Sequence, residues 1–420
     1  MSSVVGGGRG GATIAATVAL LGAAALVATP AGAQSAGEEA DSQRALFVGN
    51  NWDGTADVIR PRGDYERIAR INVIPDIEQR MQEILTDPVR LVYFLGIRQL
   101  VGEGNDQFVD DMYTTNDGRL LVVSRPSLAD VVAIDLDSRE IVWRFEVDGQ
   151  RSDHMGLSPD GRHVAVSAST GNVVHVLDVE TGREVGRFPS GDSPHENNYS
   201  ADGERIYHAS IGLVYTPADQ PAMDSTKGER YFQIVDARTN EIRERIDMGQ
   251  KLEEAGYPDM SSAVRPMALS PDERFVYFQV SFLHGFVEYD FAQDRVTRVA
   301  QLPNLVPDMP REQYLLDSAH HGLAMNRRGT KLCAAGTMSD YAAIVSQKTF
   351  DHTLIHGGEK PYWATNDDTG NKCFVSWSGS DRISVISYRD GEEIARVEVG
   401  DHPQRMRMGT VRTSWVRANG

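Results

Sequence analysis

The hydrophobic positions of residues 157–191 alternate with polar ones in short runs that are separated by turn residues. The stretch reads LSPDGRHVAVSASTGNVVHVLDVETGREVGRFPSG, and many of its hydrophobic residues are β-branched. Alternation with a period of two is typical of β-strands that bury one face. The Pro-Asp-Gly and Glu-Thr-Gly triplets supply the turns, because Gly and Asp adopt the backbone angles that tight turns need. The stretch is therefore predicted to form four antiparallel strands.

Weaker copies of this pattern recur along the chain, and they span residues 114–149, 199–249, 269–303, 325–358 and 365–400. Residues 44–74 supply only the last three strands of another unit, and residues 401–411 supply a single first strand. A repeated four-stranded unit is typical of propeller blades. We therefore predict an all-β fold, a seven-bladed β-propeller over residues 44–411 whose first blade is closed by the C-terminal strand. Residues 412–420 are expected to form a tail.

The SPDG…V.V.D..TG cadence of these repeats resembles that of the YVTN-type, or YncE-like, seven-bladed β-propellers of the bacterial periplasm and surface. The superfamily that this resemblance implies includes metal-binding members, the propeller of nitrous oxide reductase, the heavy chains of quinoprotein amine dehydrogenases and pure binding scaffolds. This chain lacks the cysteine-bearing electron-transfer domain of nitrous oxide reductase. The resemblance predicts the fold and leaves the activity open.

The N-terminal residues have the composition of an export signal. Arg9 precedes an apolar run over residues 12–27, and Ala33 ends a small-x-small cleavage pattern. Residues 1–33 are therefore predicted to be a signal peptide, and residues 34–43 a disordered lead-in. The run is too short and too rich in Ala and Gly to serve as a transmembrane segment. We expect a periplasmic or secreted protein.

The charge and the motifs exclude several classes of partner and chemistry. The formal net charge of −18 provides no basic face for nucleic acid. The sequence contains no P-loop, dinucleotide fingerprint, GxSxG elbow or CxxCH motif. Nucleotide cofactors, serine-hydrolase chemistry and c-type haem are therefore not expected.

Charged or titratable residues stand where each inner strand of the propeller is expected to begin. Counting back five positions from the turn of each blade, and adding the start of the closing strand, identifies Asp111, Asp153 with His154 beside it, His195, Arg265, His321, Lys360 and His402. Because inner strands begin at the face that carries the central funnel, these side chains are predicted to converge. Such a ring must be hydrated, internally paired or bound to a ligand.

Loops on the same face add further polar side chains and insertions. The additional residues are His208, His284, His320, Asp317, Asp340, Tyr341 and Trp377. Long insertions at 75–106, 214–229, 250–264 and 304–319 also fall on this face, and residues 76–85 have the apolar spacing of a short amphipathic helix. Elaborating one face of a scaffold indicates a site or a lid there, although the helix alone would also serve as a plug for the funnel.

Three functions are compatible with this funnel face. In the first, His154, His195, His321 and His402 bind a transition metal, zinc or copper, with His320 and His208 behind them. In the second, Arg265 and Lys360, with Asp111, Asp153 and Trp377, bind a small anionic ligand. In the third, the propeller is a non-catalytic scaffold for a protein or cell-envelope partner. A metal-dependent oxidoreductase would need a proton-transfer group, for which His284, Asp340 and Tyr341 are the candidates. Whether the protein is an enzyme stays open.

The only two cysteines, Cys333 and Cys373, lie in the second strands of consecutive blades. If the two blades matched residue for residue, both side chains would leave the same face. The turn within the stretch TNDDTGNKC has one residue more than the turn at SPDG. A slip of one residue reverses the faces of a strand. Because export permits oxidation, we predict a disulfide between them, with two buried thiols as the alternative.

Overall fold

A computed structural model of the protein describes residues 42–214 and 221–420, without the side chains of residues 221, 222 and 224. The expected signal peptide lies outside these residues, as does the expected lead-in except for residues 42 and 43, which begin the first strand. Among the described residues, no helix has the length and apolar character needed to cross a membrane.

The described chain forms seven antiparallel sheets of four strands each, which is the predicted seven-bladed β-propeller. Blades 2 to 4 consist of β4 (Met112–Thr114), β5 (Leu120–Arg125), β6 (Asp130–Asp135), β7 (Ile141–Glu146); β8 (Ser152–Leu157), β9 (His163–Ala168), β10 (Val173–Asp178), β11 (Glu184–Pro189); and β12 (Pro194–Tyr199), β13 (Arg205–Ser210), β14 (Phe232–Asp236), β15 (Ile242–Ile246). Blades 5 to 7 consist of β16 (Val264–Leu269), β17 (Phe275–Val280), β18 (Gly285–Asp290), β19 (Arg295–Gln301); β20 (Leu323–Met325), β21 (Lys331–Gly336), β22 (Tyr341–Ser346), β23 (His352–Ile355); and β24 (Pro361–Asn366), β25 (Lys372–Trp377), β26 (Arg382–Ser387), β27 (Glu393–Glu398).

Blade 1 is closed by the two ends of the chain, as predicted. It consists of β1 (Ser42–Asn50), β2 (Thr55–Ile59), β3 (Arg67–Asn72) and β28 (Pro403–Arg412), in the order β28-β1-β2-β3. The antiparallel register runs from Ser42 opposite Arg412 to Asn50 opposite Pro403. Closure pairs strand edges that would otherwise be open to aggregation.

Side chains of neighbouring blades form the core. Leu120 and Val122 of β5, for example, belong to one buried cluster with Val164 and Val166 of β9. Both faces of these strands are covered, one by each adjoining blade. The alternation of the sequence is therefore clearest on the outermost strands, such as β7, where half-buried and exposed residues alternate along Ile141–Glu146.

The insertion at 75–106 contains two helices where the sequence analysis predicted one. The helix α1 (Ile77–Thr86) matches the predicted segment, and α2 (Pro88–Leu100) follows it directly. Asp87 caps α2 by accepting hydrogen bonds from the amides of Val89 and Arg90 at 2.9 and 3.1 Å. The nearly continuous apolar run of α2 has no strong helical contrast, so the sequence pattern does not predict this helix. A third helix, α3 (Met248–Glu254), begins the insertion after blade 4.

The last residues of the chain form a helix instead of the expected tail. The helix α4 (Thr413–Asn419) follows β28, and its Trp415 and Val416 are buried in the core cluster of blades 1 and 2. The indole of Trp415 donates a hydrogen bond to the carbonyl of Leu136 at 2.8 Å. These contacts of Trp415 and Val416 hold α4 against the propeller. The sequence of this short segment did not by itself predict them.

Cys333 and Cys373 are joined by a disulfide, with their Cα atoms 6.5 Å apart. Cys333 is the third residue of β21 and Cys373 is the second residue of β25. This difference of one position turns the two side chains toward each other. The bond links blade 6 to blade 7.

Candidate metal centre

Three histidines from three blades converge at the start of the inner strands. His154 lies on β8 and His195 on β12, and His321 precedes β20 by two residues. One ring nitrogen from each lies within 4.8 Å of the other two, and all three residues are buried. The ring centroids of His154 and His195 are 3.6 Å apart, and that of His321 lies 6.0 and 5.9 Å from them. Three imidazoles in this arrangement suit zinc or copper.

Irregular pairing at the start of the inner strands directs these side chains toward the axis. The register of β8 with β9 shifts between Ser152 and Met155, and that of β12 with β13 shifts between Pro194 and Glu196. A bulge of this kind bends the strand and re-aims the side chains within it. His154 and His195 lie inside these two shifts.

Two glycines allow the inner strands to approach closely beside the histidines. A Cβ atom on Gly156 would lie 2.6 Å from the carbonyl oxygen of Asn197 on β12. A Cβ atom on Gly322 would lie 2.5 Å from the amide nitrogen of Ala364 on β24. These residues follow His154 by two positions and His321 by one, so neighbouring blades pack closely at the level of the histidines.

Carboxylates flank the histidines. The Nδ1 of His154 lies 2.7 Å from a carboxyl oxygen of Glu196, and a carboxyl group in this position fixes the orientation of the ring. Asp110 and Asp153 form a second possible ligand group with His154, again with atoms within 4.8 Å. Asp153 also accepts from Arg151 at 2.5 Å and from the Ser169 hydroxyl at 3.1 Å. The site thus offers nitrogen and oxygen donors around one imidazole.

Arg405 of β28 is the closest cation to the histidines. Its guanidinium contacts the ring nitrogens of His154 and pairs with Asp110 at 3.0 Å. It also stacks over Trp363, with its central carbon 4.2 Å from the ring centroid. A metal ion bound by the histidines would lie next to this positive charge, and Asp110 is the carboxylate best placed to compensate it.

Burial keeps the histidines neutral. It lowers the pKa of His154, His195 and His321 well below the usual value, and neighbouring positive groups, Arg405 among them, lower it further. Neutral imidazole is the form that binds metals, so protons compete weakly with a metal at this site. Among the described residues, the Nδ1 atoms of His195 and His321 are buried without a hydrogen-bond partner. Such atoms are costly to desolvate, and a ligand would remove this cost.

Burial has the opposite effect on two carboxyl groups. It raises the pKa of Asp110 and that of Glu196 to about 7, although Arg405 opposes the shift in both. Near neutral pH both groups can therefore exchange a proton. A buried site with neutral imidazoles and carboxyl groups near their midpoints is suited to accept a cation and release protons.

A cavity of about 60 Å³ lies against the three histidines. Asp110, Arg151, Asp153, Arg265 and Tyr362 contribute to its polar wall. The insertions contribute to its wall, since Val101, Val214 and Leu316 also line it. The cavity thus lies on the face that carries the insertions. The space is enough for about two water molecules at roughly 30 Å³ each.

His402 is not among the converging histidines. Its ring stacks on Trp52, with centroids 3.8 Å apart, and its Nε2 lies 4.0 Å from Glu103. Lys360 contacts the same Glu103 and lies outside the cavity lining. The closing strand β28 pairs with β1 and is not followed by a turn of its own blade, so the position of its inward side chain could not be found by counting back from a turn. Arg405, three residues after His402, takes the inward position instead. The structure thus contains a second polar group, apart from the three histidines, which consists of His402, Trp52, Glu103 and Lys360.

Of the remaining candidates of the ligand-binding set, two lie in structural contacts and one lines the cavity. Asp111 accepts two hydrogen bonds from Arg407 at 2.9 and 2.7 Å and does not line the cavity. Arg265 lines the cavity and donates to the hydroxyl of Ser318 at 2.7 Å. The indole of Trp377 is fully buried and donates to the Ser384 hydroxyl at 2.7 Å.

The histidines expected behind the metal ligands have different surroundings. His208 donates to Asn197 Oδ1 at 2.9 Å and accepts from the Ser190 hydroxyl at 2.7 Å, and so supports the strand of His195 from behind. His320 shares a hydrogen bond of 2.9 Å with the hydroxyl of Tyr341 and does not line the cavity. Among the described residues, neither His208 nor His320 forms a hydrogen bond with the three converging rings.

The catalytic candidates form a second cluster away from the cavity. The Nε2 of His284 and the hydroxyl of Tyr314 are 2.9 Å apart, and its Nδ1 lies 3.2 Å from Ser339 Oγ. The hydroxyl of Tyr341 donates to the carbonyl of Pro303 at 2.8 Å, and Asp340 accepts from the amide of Lys360 at 2.8 Å. The structure places no catalytic candidate of this set beside the three histidines.

Several residues of the site were missing from the sequence analysis. They are Asp110, Arg151, Glu196, Tyr362, Gln404 and Arg405. Three of them, Asp110, Glu196 and Tyr362, stand directly beside or two places after a predicted slot residue. Allowing for a bulge at each inner strand would have included them, because a bulge lets consecutive side chains reach one site.

Comparison with known proteins supports the fold and no particular activity. Neither protein-family models nor curated protein sequences give a match. Among solved structures the chain is similar to Kuenenia stuttgartiensis hydrazine synthase, with 14% identity and a TM-score of 0.54, over 73% of this chain and 96% of that one. At this identity the likeness concerns the fold alone. The protein is a seven-bladed β-propeller with a group of histidines that could hold a metal ion.

Proposed function

We propose that the protein is an exported β-propeller that binds one transition metal ion, zinc or copper, through His154, His195 and His321. The observation that carries this proposal is the convergence of three buried, neutral imidazoles, each from a different blade. Zinc and copper accept such ligands and leave a further position for an external group. The adjoining cavity of about 60 Å³ provides space for that group.

The assignment to the YVTN/YncE-like family and to an exported location belongs to the same proposal. The SPDG turn, its variants SADG and SPDE, and the ETG turn support the family, and residues 1–33 support export. The disulfide between Cys333 and Cys373 agrees with an oxidising compartment. Recovery of the protein outside the cytoplasm with Gln34 as its first residue is expected, and a cytoplasmic protein that retains residues 1–33 would contradict export.

Metal analysis tests the site directly. The untagged full-length protein is purified from the exported fraction without chelator, and zinc and copper are counted per chain. We expect one metal per chain in the natural protein and a large loss in His195→Ala and His321→Ala. His352→Ala, on the exposed end of blade 6, and His402→Ala should retain the metal. Circular dichroism of each variant separates loss of a ligand from loss of the fold.

The scaffold alternative gives the opposite result. A propeller that only binds a protein or cell-envelope partner should contain no stoichiometric metal, or the same low content in all four variants. That outcome would overturn the metal proposal.

A small anion at the same cavity is a second candidate function. Arg151, Arg265 and Arg405 surround the histidines, with Arg405 in contact with His154. Arginine pairs with carboxylates and phosphates through two parallel hydrogen bonds. Arg405→Gln separates this function from metal binding, because it removes a positive charge that attracts an anion and repels a metal ion.

A further inference from the structure

The outer face of α2 is an apolar stripe that no other described element covers. Val89, Val92, Tyr93 and Leu100 are 60%, 69%, 44% and 56% exposed, whereas Phe94 and Ile97 on the inner face are 1% and 5% exposed. The exposed positions recur at helical spacing and so lie on one side. Exposed apolar side chains grouped in this way indicate a binding surface.

A groove runs along this stripe. It has a volume of about 240 Å³ and is bounded by Val92, Tyr93, Gly96 and Leu100 on the helix and by Thr170 of blade 3. A Cβ atom at Gly96 would meet nothing within 4 Å, so the glycine leaves the middle of the groove open. The walls are more apolar than those of the histidine cavity.

The groove and the histidine cavity adjoin each other. Val101, Arg151 and Thr170 line both of them. Arg151 stands at this junction, where it pairs with Asp153 at 2.5 Å and donates to Gln107 Oε1 at 3.2 Å. Its buried Nε has no hydrogen-bond partner among the described residues. A ligand that extends from the groove to the histidines would therefore reach the Arg151 guanidinium, whose Nε–H is available to donate a hydrogen bond.

The sizes of the two spaces restrict the ligand. The cavity of about 60 Å³ admits a small polar group, and the groove of about 240 Å³ admits a larger apolar one. We infer that the site binds an amphipathic small molecule, an alkyl or aryl carboxylate. Its carboxylate reaches the metal and Arg151, and its apolar part lies along α2. This inference rests on the proposed metal site for one partner of the carboxylate.

The test is a chain-length series. Acetate, butyrate, hexanoate and octanoate are titrated into the full-length metal-loaded protein and into the chelator-treated protein by calorimetry. Burying one methylene corresponds to an affinity gain of up to about fourfold. We expect the affinity to rise about two- to fourfold per methylene until the groove is filled.

Substitutions on the helix supply the matched control. Val92→Asp and Leu100→Asp should flatten the series and leave the metal content unchanged. Leu95→Asp places the same charge on an exposed position of α2 that does not line the groove, so the series should persist. Equal affinities for acetate and octanoate in the metal-loaded natural protein would overturn the inference.

Other outcomes separate the two proposals and the other occupants of the stripe. A steep series in a protein that binds no metal would overturn the metal centre and retain the groove. A dimer that dissociates on Val92→Asp, seen by sedimentation, would show that a second copy covers the stripe. Binding to phosphatidylcholine vesicles that Val92→Asp abolishes would assign it to a lipid surface. Either result would overturn the small-molecule inference.

Discussion

The imidazoles of His154 and His195 face each other across the boundary between blades 3 and 4, with ring centroids 3.6 Å apart. The two residues are the third and second of their strands, and a register shift in each strand places them at the same level of the funnel. Burial makes the charged form of either ring unfavourable, so the pair can approach without repulsion. With His321 the pair forms a group that could hold a metal ion.

Arg405→Gln should have opposite effects on a metal and on an anion. The substitution removes the positive charge in contact with His154, so zinc or copper should bind about tenfold more tightly. Anion binding at the cavity should weaken, because a cation is lost. Competition with a chelator of known affinity measures the first effect, and calorimetry with acetate measures the second.

Arg405→Lys serves as the control for this prediction. It retains the charge and loses the paired geometry, and the metal affinity should stay near that of the natural protein. Weaker metal binding in Arg405→Gln than in Arg405→Lys would contradict the electrostatic account of the site.

The protein should lose stability as the pH falls from 6.5 toward 4.5. Burial lowers the pKa of His208, His320 and His402 to about 3 and that of His284 to about 4. Because the unfolded chain then binds protons that the folded chain does not, each such histidine removes about 1.4 kcal/mol of stability per pH unit below its unfolded value of about 6.5. The raised pKa of Asp110 and that of Glu196 oppose this trend, but fewer groups act in that direction.

Denaturant unfolding of the metal-free protein at several pH values measures this slope. His208→Gln removes one of the titrating groups at a distance from the cavity, and its slope should be smaller by about one proton. A free energy of unfolding that does not change between pH 6.5 and 5 would contradict the prediction.

Removal of residues 401–420 should unfold or aggregate the protein. The deletion removes β28, exposes the edge of β1 and removes the buried Trp415 and Val416. Size-exclusion chromatography and thermal unfolding report the result. A deletion of residues 417–420, which are exposed, should leave the melting temperature nearly unchanged.

A single substitution separates the two contributions of the C-terminus. Trp415→Ala retains the closing strand and leaves a cavity in the cluster of blades 1 and 2, and should cost about 3 to 5 kcal/mol. If the 401–420 deletion melts like the natural protein, closure by β28 is not needed for the fold.

The bond between Cys333 and Cys373 should stabilise the protein by about 2 to 4 kcal/mol, because it restricts the unfolded chain. The double variant Cys333→Ala, Cys373→Ala should unfold at a correspondingly lower denaturant concentration. Thiol titration of the denatured, unreduced natural protein should find no free thiol. Two reactive thiols would show that the cysteines are not bridged in solution.

The sequence by itself determined the propeller. The turns at SPDG and ETG, their variants in other blades such as SADG and SPDE, and the alternation between the turns are local signals. Counting within a copy also located His154, His195 and His321, because each stands a few residues before a recognisable turn. The incomplete units at the two ends were enough to predict closure by β28.

Only the tertiary structure decided which polar residues share the site. Arg405 contacts His154 although 251 residues separate them, and the order of residues along the chain contains no measure of that distance. Bulges shifted the inner strands by a residue and brought Asp110 and Glu196 into the group, while His402 turned to Trp52. The sequence did not reveal the exposed stripe of α2 either. An apolar run indicates that a helix is partly buried, but it does not show which side of the helix packs against other elements. Convergence around an axis is a property of the closed ring, and it forms only when all the blades are packed together.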